Sequence, residues 1–131
     1  MLFHFASPSH SIVDRKKELI KFKGYQVAPA ELEAILLQHP LVSAAAVVGI
    51  YSTDQATELP RAYIQLRPEA THKSGLESEI QQWVKGKVSN AKQLRGGVKV
   101  IERVPMNPSG KILRKELRKL VESEQKRENK L

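Results

Sequence analysis

Between Ile20 and Leu36 the spacing of apolar residues changes from that of a strand to that of a helix, and this limits the fold more than any other feature. In "LIKFKG", Ile20 and Phe22 alternate with Lys21 and Lys23. That is the period of a half-buried strand, and it leaves both lysines on the wetter face. Gly24 breaks the run and "YQV" resumes it, so residues 12–27 read as one or two short strands around a turn. Pro29 suits the first position of a helix, where its missing N–H costs nothing. Glu31 and Glu33 follow in the first turn, favourable near the positive end of the helix. Leu32, Ile35 and Leu36 form the apolar stripe, and His39-Pro40 ends it.

The rest of the chain continues the same alternation of periods. "VSAAAVVGIY" is a buried-strand candidate, "STDQATELP" a polar loop, and "RAYIQLR" a strand with Ala62, Ile64 and Leu66 set against Arg61, Gln65 and Arg67. Ser74 and Glu77 have capping-box spacing, ahead of Leu76, Ile80, Trp83 and Val84 at helical intervals. "GGVKVIERV" starts with turn glycines and then reads as a strand. Leu113, Leu117, Leu120 and Val121 make a last helical stripe among Arg and Lys, and the polar tail after Glu122 is predicted to fray. Each helix has one apolar stripe. The expectation is an α+β domain: a short strand pair, then a small mixed or antiparallel sheet with helices packed on it. Residues 1–11 form a lead-in, 12–121 the domain and 122–131 the tail.

Composition removes several classes. A chain of 131 residues, 40% hydrophobic and 27% charged, fits one globular domain with a modest core. No apolar run approaches the roughly 20 residues that span a bilayer. "MLFHFASPSH" has no basic n-region and too short an apolar stretch for a signal peptide. Without cysteine there are no disulfides or thiolate metal sites, which fits a reducing compartment. His4, His10, His39 and His72 lack ligand spacing, so no metal site is expected. The net charge of +8 sits at the two ends. Residues 1–27 carry five basic and two acidic side chains, 28–110 nine and eight, and 111–131 eight and four. Cationic ends suit an anionic partner such as nucleotide phosphates, a coenzyme, nucleic acid or an acidic surface, and they also suit solubility alone.

"NPSGKILRKEL", residues 107–117, places Gly110 and Lys111 between a polar turn and a helix-like run. It is not a phosphate-binding P-loop. That motif needs a glycine five residues before its Gly-Lys and Ser or Thr after it, whereas Pro105 and Ile112 stand here. What survives is an ammonium on a turn, able to meet an anionic oxygen. Read locally, Lys111 is either catalytic or one more solvated cation. Arg15, Lys17, Lys21 and Lys23 form a cationic patch beside Gly24, whose bare backbone lets a ligand approach, and the same residues suit a solvated strand face. With aromatics at 5%, and only Phe22 and Tyr25 among these lysines, nucleic-acid stacking is not expected.

"IVDRKKELIKFKGYQVAPAELEAILLQHP", residues 12–40, followed by "LRGGV" and "PSGKILRKEL", resembles the C-terminal domain of the adenylate-forming enzymes. The resemblance covers about residues 12–120 and is nearest to the 4-coumarate–CoA ligases, other acyl-CoA ligases and the beetle luciferases. It implies two half-reactions with ATP and CoA as co-substrates and magnesium carried by ATP. A carboxylate first gives an acyl-adenylate; CoA then gives the thioester. Asp14 matches the hinge about which the domain rotates, placing the strand pair next to it. Lys111 matches the lysine that enters the active site for adenylation. Arg15, Lys17, Lys21 and Gln26 match nucleotide or adenylate contacts, while Lys23 and Gly24 match the turn that meets CoA, Lys23 as the lysine of that second step.

The resemblance also implies a partner, a large N-terminal adenylation domain holding the carboxylate pocket. "MLFHFASPSHS" resembles nothing at that position, so a chain without that domain, inactive alone, is expected. A non-catalytic basic module for nucleotide, CoA or nucleic acid is the alternative, and luciferase-like oxygenation is a third possibility within the family. Asn129-Lys130-Leu131 resembles the peroxisomal Ser-Lys-Leu signal at two positions, so a cytoplasmic or peroxisomal location is expected.

Overall fold

The computed structural model describes residues 19–130. Asp14, Arg15 and Lys17, the lead-in and Leu131 of the terminal signal lie outside the described residues. Strands β1 (Ile20–Phe22) and β2 (Tyr25–Val27) form an antiparallel hairpin in which Lys21 faces Gln26. Its two-residue turn has positive φ at both Lys23 (45°) and Gly24 (88°), the primed turn geometry that matches the twist of a hairpin. Helix α1 (Pro29–Leu36) starts with Pro29 and buries Leu32 and Leu36.

Strands β3 (Val42–Ser52), β4 (Thr57–Leu66) and β5 (Gly97–Val100) form a sheet in the order β3-β4-β5, antiparallel and then parallel. Between β4 and β5 come helix α2 (Leu76–Lys85) and one 3-10 turn, Asn90–Lys92. Helix α3 (Arg114–Lys130) closes the fold. The mixed sheet with packed helices and a preceding strand pair is the α+β architecture expected.

Four local expectations are corrected. The loop predicted over 52–60 shrinks to 53–56, because Thr57, Glu58 and Leu59 pair with Ser52, Tyr51 and Ile50 in turn. Pro60 is tolerated within β4: its carbonyl accepts the Gly96 N–H, so its backbone faces β5 and its missing N–H takes nothing from the β3 ladder. The capping box does not form, since α2 starts from Gly75 at φ 88° and the Glu77 carboxylate accepts the Val100 N–H at 2.7 Å. Leu113 precedes α3 and is exposed, so the stripe on the helix itself begins at Leu117; α3 runs to Lys130. Residues 122–130 hold no Gly or Pro, so propensity sustains the helix.

The fourth correction fixes where the sites lie. Alternation in "RAYIQLR" predicts one buried face, yet Tyr63 is as fully buried as Ala62 and Ile64. The sheet is covered on both sides. Ala45, Val47, Ala62 and Ile64 join Ile20, Phe22, Leu32 and Ile80 in one core. Ala44, Ala46, Val48 and Tyr63 join Leu117 and Val121 of α3 in the other. Three consecutive alanines keep β3 slim enough for cores on both faces.

Candidate active-site surfaces

The β1–β2 hairpin lies on the first face. Thr57 and Glu58, at the start of β4, hold it: Thr57 Oγ1 donates to the Lys21 carbonyl and accepts the Lys23 N–H, both at 2.8 Å. Glu58 Oε1 accepts the Lys21 N–H at 2.8 Å. Polar residues that the sequence assigns to a loop therefore serve as backbone partners. The result is an open cleft of about 810 Å³ that brings together Lys21, Lys23, Gly24 and Gln26, all four exposed. Tyr25 and Tyr51, 62% and 59% exposed, line the same cleft and were not singled out from sequence. Both carry flat apolar faces that water does not favour, beside two ammonium groups. The Lys23 ammonium stands 5.5 Å from the ring centre of Phe22, and the Arg95 guanidinium 4.6 Å from the same ring. A primed turn at Lys23-Gly24 thus presents a cation and a bare backbone side by side. Nothing stands within 4 Å of where a Cβ on Gly24 would point.

Lys111 lies on the second face, in a tight turn built around Asn107. The Asn107 Oδ1 accepts the N–H of Ser109 (3.1 Å), the hydroxyl of Ser109 (2.7 Å) and the N–H of Lys111 (2.9 Å). The Asn107 N–H donates to the Lys111 carbonyl and its carbonyl accepts the Gly110 N–H, each at 2.9 Å. Gly110 reaches φ 89°, which closes the turn, and Met106 bridges Ile112. Ile112 packs against the second core. So the Lys111 side chain is exposed while its backbone is held at both amide and carbonyl. Asn107 is a residue that sequence reasoning missed; an Asn two residues ahead of Ser-Gly is the signal that could have found it, because its side chain substitutes for backbone in such turns.

A second missed element ties this turn to the sheet. Arg114 donates to the Val47 carbonyl at 3.0 Å and to Glu33 at 3.2 Å, and Glu33 Oε2 accepts the Val47 N–H at 2.9 Å. Read from sequence, Glu33 is a first-turn helix charge; in the fold it is buried. Among the described residues no group of three or more His, Cys, Asp or Glu is placed to hold a metal, and no helix is long and apolar enough to cross a membrane. The described candidates thus fall into two sets: Lys21, Lys23, Gly24 and Gln26 on one face of the sheet, Lys111 on the other.

Residues 31–111 match the model of the AMP-binding enzyme C-terminal domain. The chain belongs to this family. It is 48% identical over 121 residues to a putative acyl-coenzyme A synthetase of Emericella nidulans, covering 92% of this chain and 21% of that protein. It is 51% identical over 111 residues to luciferin 4-monooxygenase of Photuris pensylvanica, covering 85% of this chain and 20% of that protein. The structure of Brucella canis acyl-CoA synthetase superposes with a TM-score of 0.73 at 35% identity, over 85% of this chain and 20% of that one. This AMP-binding C-terminal domain thus spans about a fifth of the length of the relatives it matches. The family match begins at Glu31, within α1, and takes in the whole three-stranded sheet and the turn as far as Lys111.

Proposed function

We propose that this domain is the mobile C-terminal part of an ATP-dependent carboxylate–CoA ligase. It works with a large adenylation domain corresponding to the other four-fifths of its relatives. The observation that carries the reading is the placement of two exposed lysine-bearing turns on opposite faces of one sheet. A rigid body with one reactive group per face cannot present both to the same point, so rotation must separate two steps. Asp14, ahead of β1, is the hinge.

In the first step a carboxylate oxygen attacks the α-phosphorus of MgATP, the acyl–O–P bond forms and pyrophosphate leaves. Lys111 places its ammonium between carboxylate and phosphate, stabilising charge that grows on the phosphoryl oxygens. The Asn107 turn means little reorganisation is needed when that charge develops. In the second step the thiolate of CoA, its proton lost to solvent, attacks the acyl carbonyl carbon and AMP leaves. Lys23 and Gly24 present the turn that meets CoA, while Arg15, Lys17, Lys21 and Gln26 contact the nucleotide. Magnesium enters as the counter-ion of ATP.

A second reading draws on the identity to luciferin 4-monooxygenase: the same adenylation followed by oxygenation in place of thioester formation. The test is to install this domain in place of the C-terminal fifth of the Emericella relative and supply ATP, CoA and that enzyme's acid. ATP- and CoA-dependent thioester formation supports the ligase reading. Adenylate formation with oxygen uptake and no thioester favours the second. Absence of both overturns the assignment.

A further inference from the structure

The Lys111 turn fixes its own shape through Asn107, and Ile112 rests on the second core. Arg114 adds a polar tie from the turn's end to the sheet. The first residue of α3, it stands three positions after Lys111, and the Leu113 N–H between them bonds back to the Pro105 carbonyl at 2.9 Å. Its guanidinium reaches Val47 and Glu33, with Nη2 3.0 Å from Glu33 Oε2 and the two side chains only 17% and 10% exposed. Glu33 and Arg114 divide the backbone of Val47 between them: the carboxylate takes its N–H, the guanidinium its C=O. Val47 lies on β3, an outer strand of the sheet, so the pair occupies polar groups that no neighbouring strand among the described residues reaches. Desolvating two charges is costly, and it is sustained here only because each finds both an ion partner and a backbone partner.

We infer that Glu33 and Arg114 are positioning residues for Lys111, a clamp that sets where its ammonium stands relative to the sheet during adenylation. The inference rests on the reading of Lys111 as the adenylation lysine. The β1–β2 hairpin is held instead by Thr57 and Glu58, so the clamp governs one half-reaction and not the other.

The test uses two variants because removing one buried charge outright can unfold the domain. Glu33→Gln keeps the shape and an acceptor for Val47 while losing the charge. Arg114→Lys keeps the charge while losing the fork. Each is studied by amide hydrogen exchange in the 131-residue chain and by half-reaction rates with the domain joined to the large domain of the Emericella relative. In both variants the amides of Lys111 and Leu113 exchange roughly tenfold faster while that of Lys23 is unchanged. Adenylation falls about 10²-fold, as displacement of a catalytic group by an ångström entails, and thioester formation from supplied acyl-adenylate holds. Unchanged exchange in the Lys111 turn, or equal acceleration at Lys111 and Lys23, overturns the clamp. Lys111→Ala, run alongside, separates the two ideas. If that variant adenylates normally while the clamp variants still loosen the turn, it is the role of Lys111 that fails.

Discussion

Lys23 occupies a backbone conformation that a side chain with a Cβ enters at a cost, φ 45°, where Asn would be a better choice. Lys23→Asn should therefore raise unfolding stability by about 0.5 kcal/mol in a denaturant titration while slowing thioester formation in the joined enzyme. Opposite signs are what a strained position kept for its ammonium predicts; losing both stability and rate would make the lysine structural. Tyr63 shows the converse, a functional-looking group with a packing role. Its hydroxyl donates to Glu124 Oε1 at 2.7 Å, and burial, with that carboxylate adding, pushes its pKa up to about 12 against the opposing pull of Arg61. The neutral phenol is the form the fold prefers. Its contribution is therefore complete below pH 10, the ordinary value, and is lost as pH rises through about 12. The phenolate absorbance missing from Tyr63→Phe should appear only near that upper value. His39 has the opposite sign. Burial lowers its pKa from 6.5, partly offset by Glu79, and its Nδ1 accepts the Leu41 N–H at 3.1 Å. That contribution is present above pH 6.5 and lost as pH falls below it, which stability curves for His39→Gln should no longer show.

At the scale of elements, helices supply carboxylates to both outer strands of the sheet: Glu33 to Val47 of β3 and Glu77 to Val100 of β5. Glu77→Ala should cost about 1–2 kcal/mol, the price of a half-buried N–H left without its partner, and should raise exchange at Val100 first. Much of this level was legible in sequence. The period-two run at Ile20–Phe22, the Pro29 helix start and the stripe at Leu76, Ile80 and Val84 each depend on local spacing, and each element stands where that spacing put it. What was hidden depends on partners distant in sequence. Thr57 and Glu58 look like loop residues until the hairpin that bonds to them is known, and Glu77 looks like a cap until β5 lies beside it. Glu33 and Arg114 are 81 positions apart, so no local pattern could pair them. The burial of Tyr63 was hidden for a related reason: a helix packs on the face that simple alternation leaves wet.

Among the described residues a thin sheet carries a core on each side, and that doubling is what lets so short a chain carry lysine-bearing turns on both faces. Lys111 and the Lys21–Gln26 hairpin could be singled out by residue type and by resemblance. Their placement on opposite faces could not, because it follows from the second core, which the sequence pattern concealed. Leu117 is the centre of that second core, fully buried on α3. Leu117→Ala should lower unfolding stability by about 2–5 kcal/mol in thermal or denaturant melts. The central claim is that the two faces serve different chemical steps. Its most direct test measures both half-reactions in the joined enzyme for Lys111→Ala and for Lys23→Ala. The account predicts that Lys111→Ala abolishes most acyl-adenylate formation but spares thioester formation from supplied acyl-adenylate, and that Lys23→Ala does the reverse. Equal loss of both steps in both variants would contradict it.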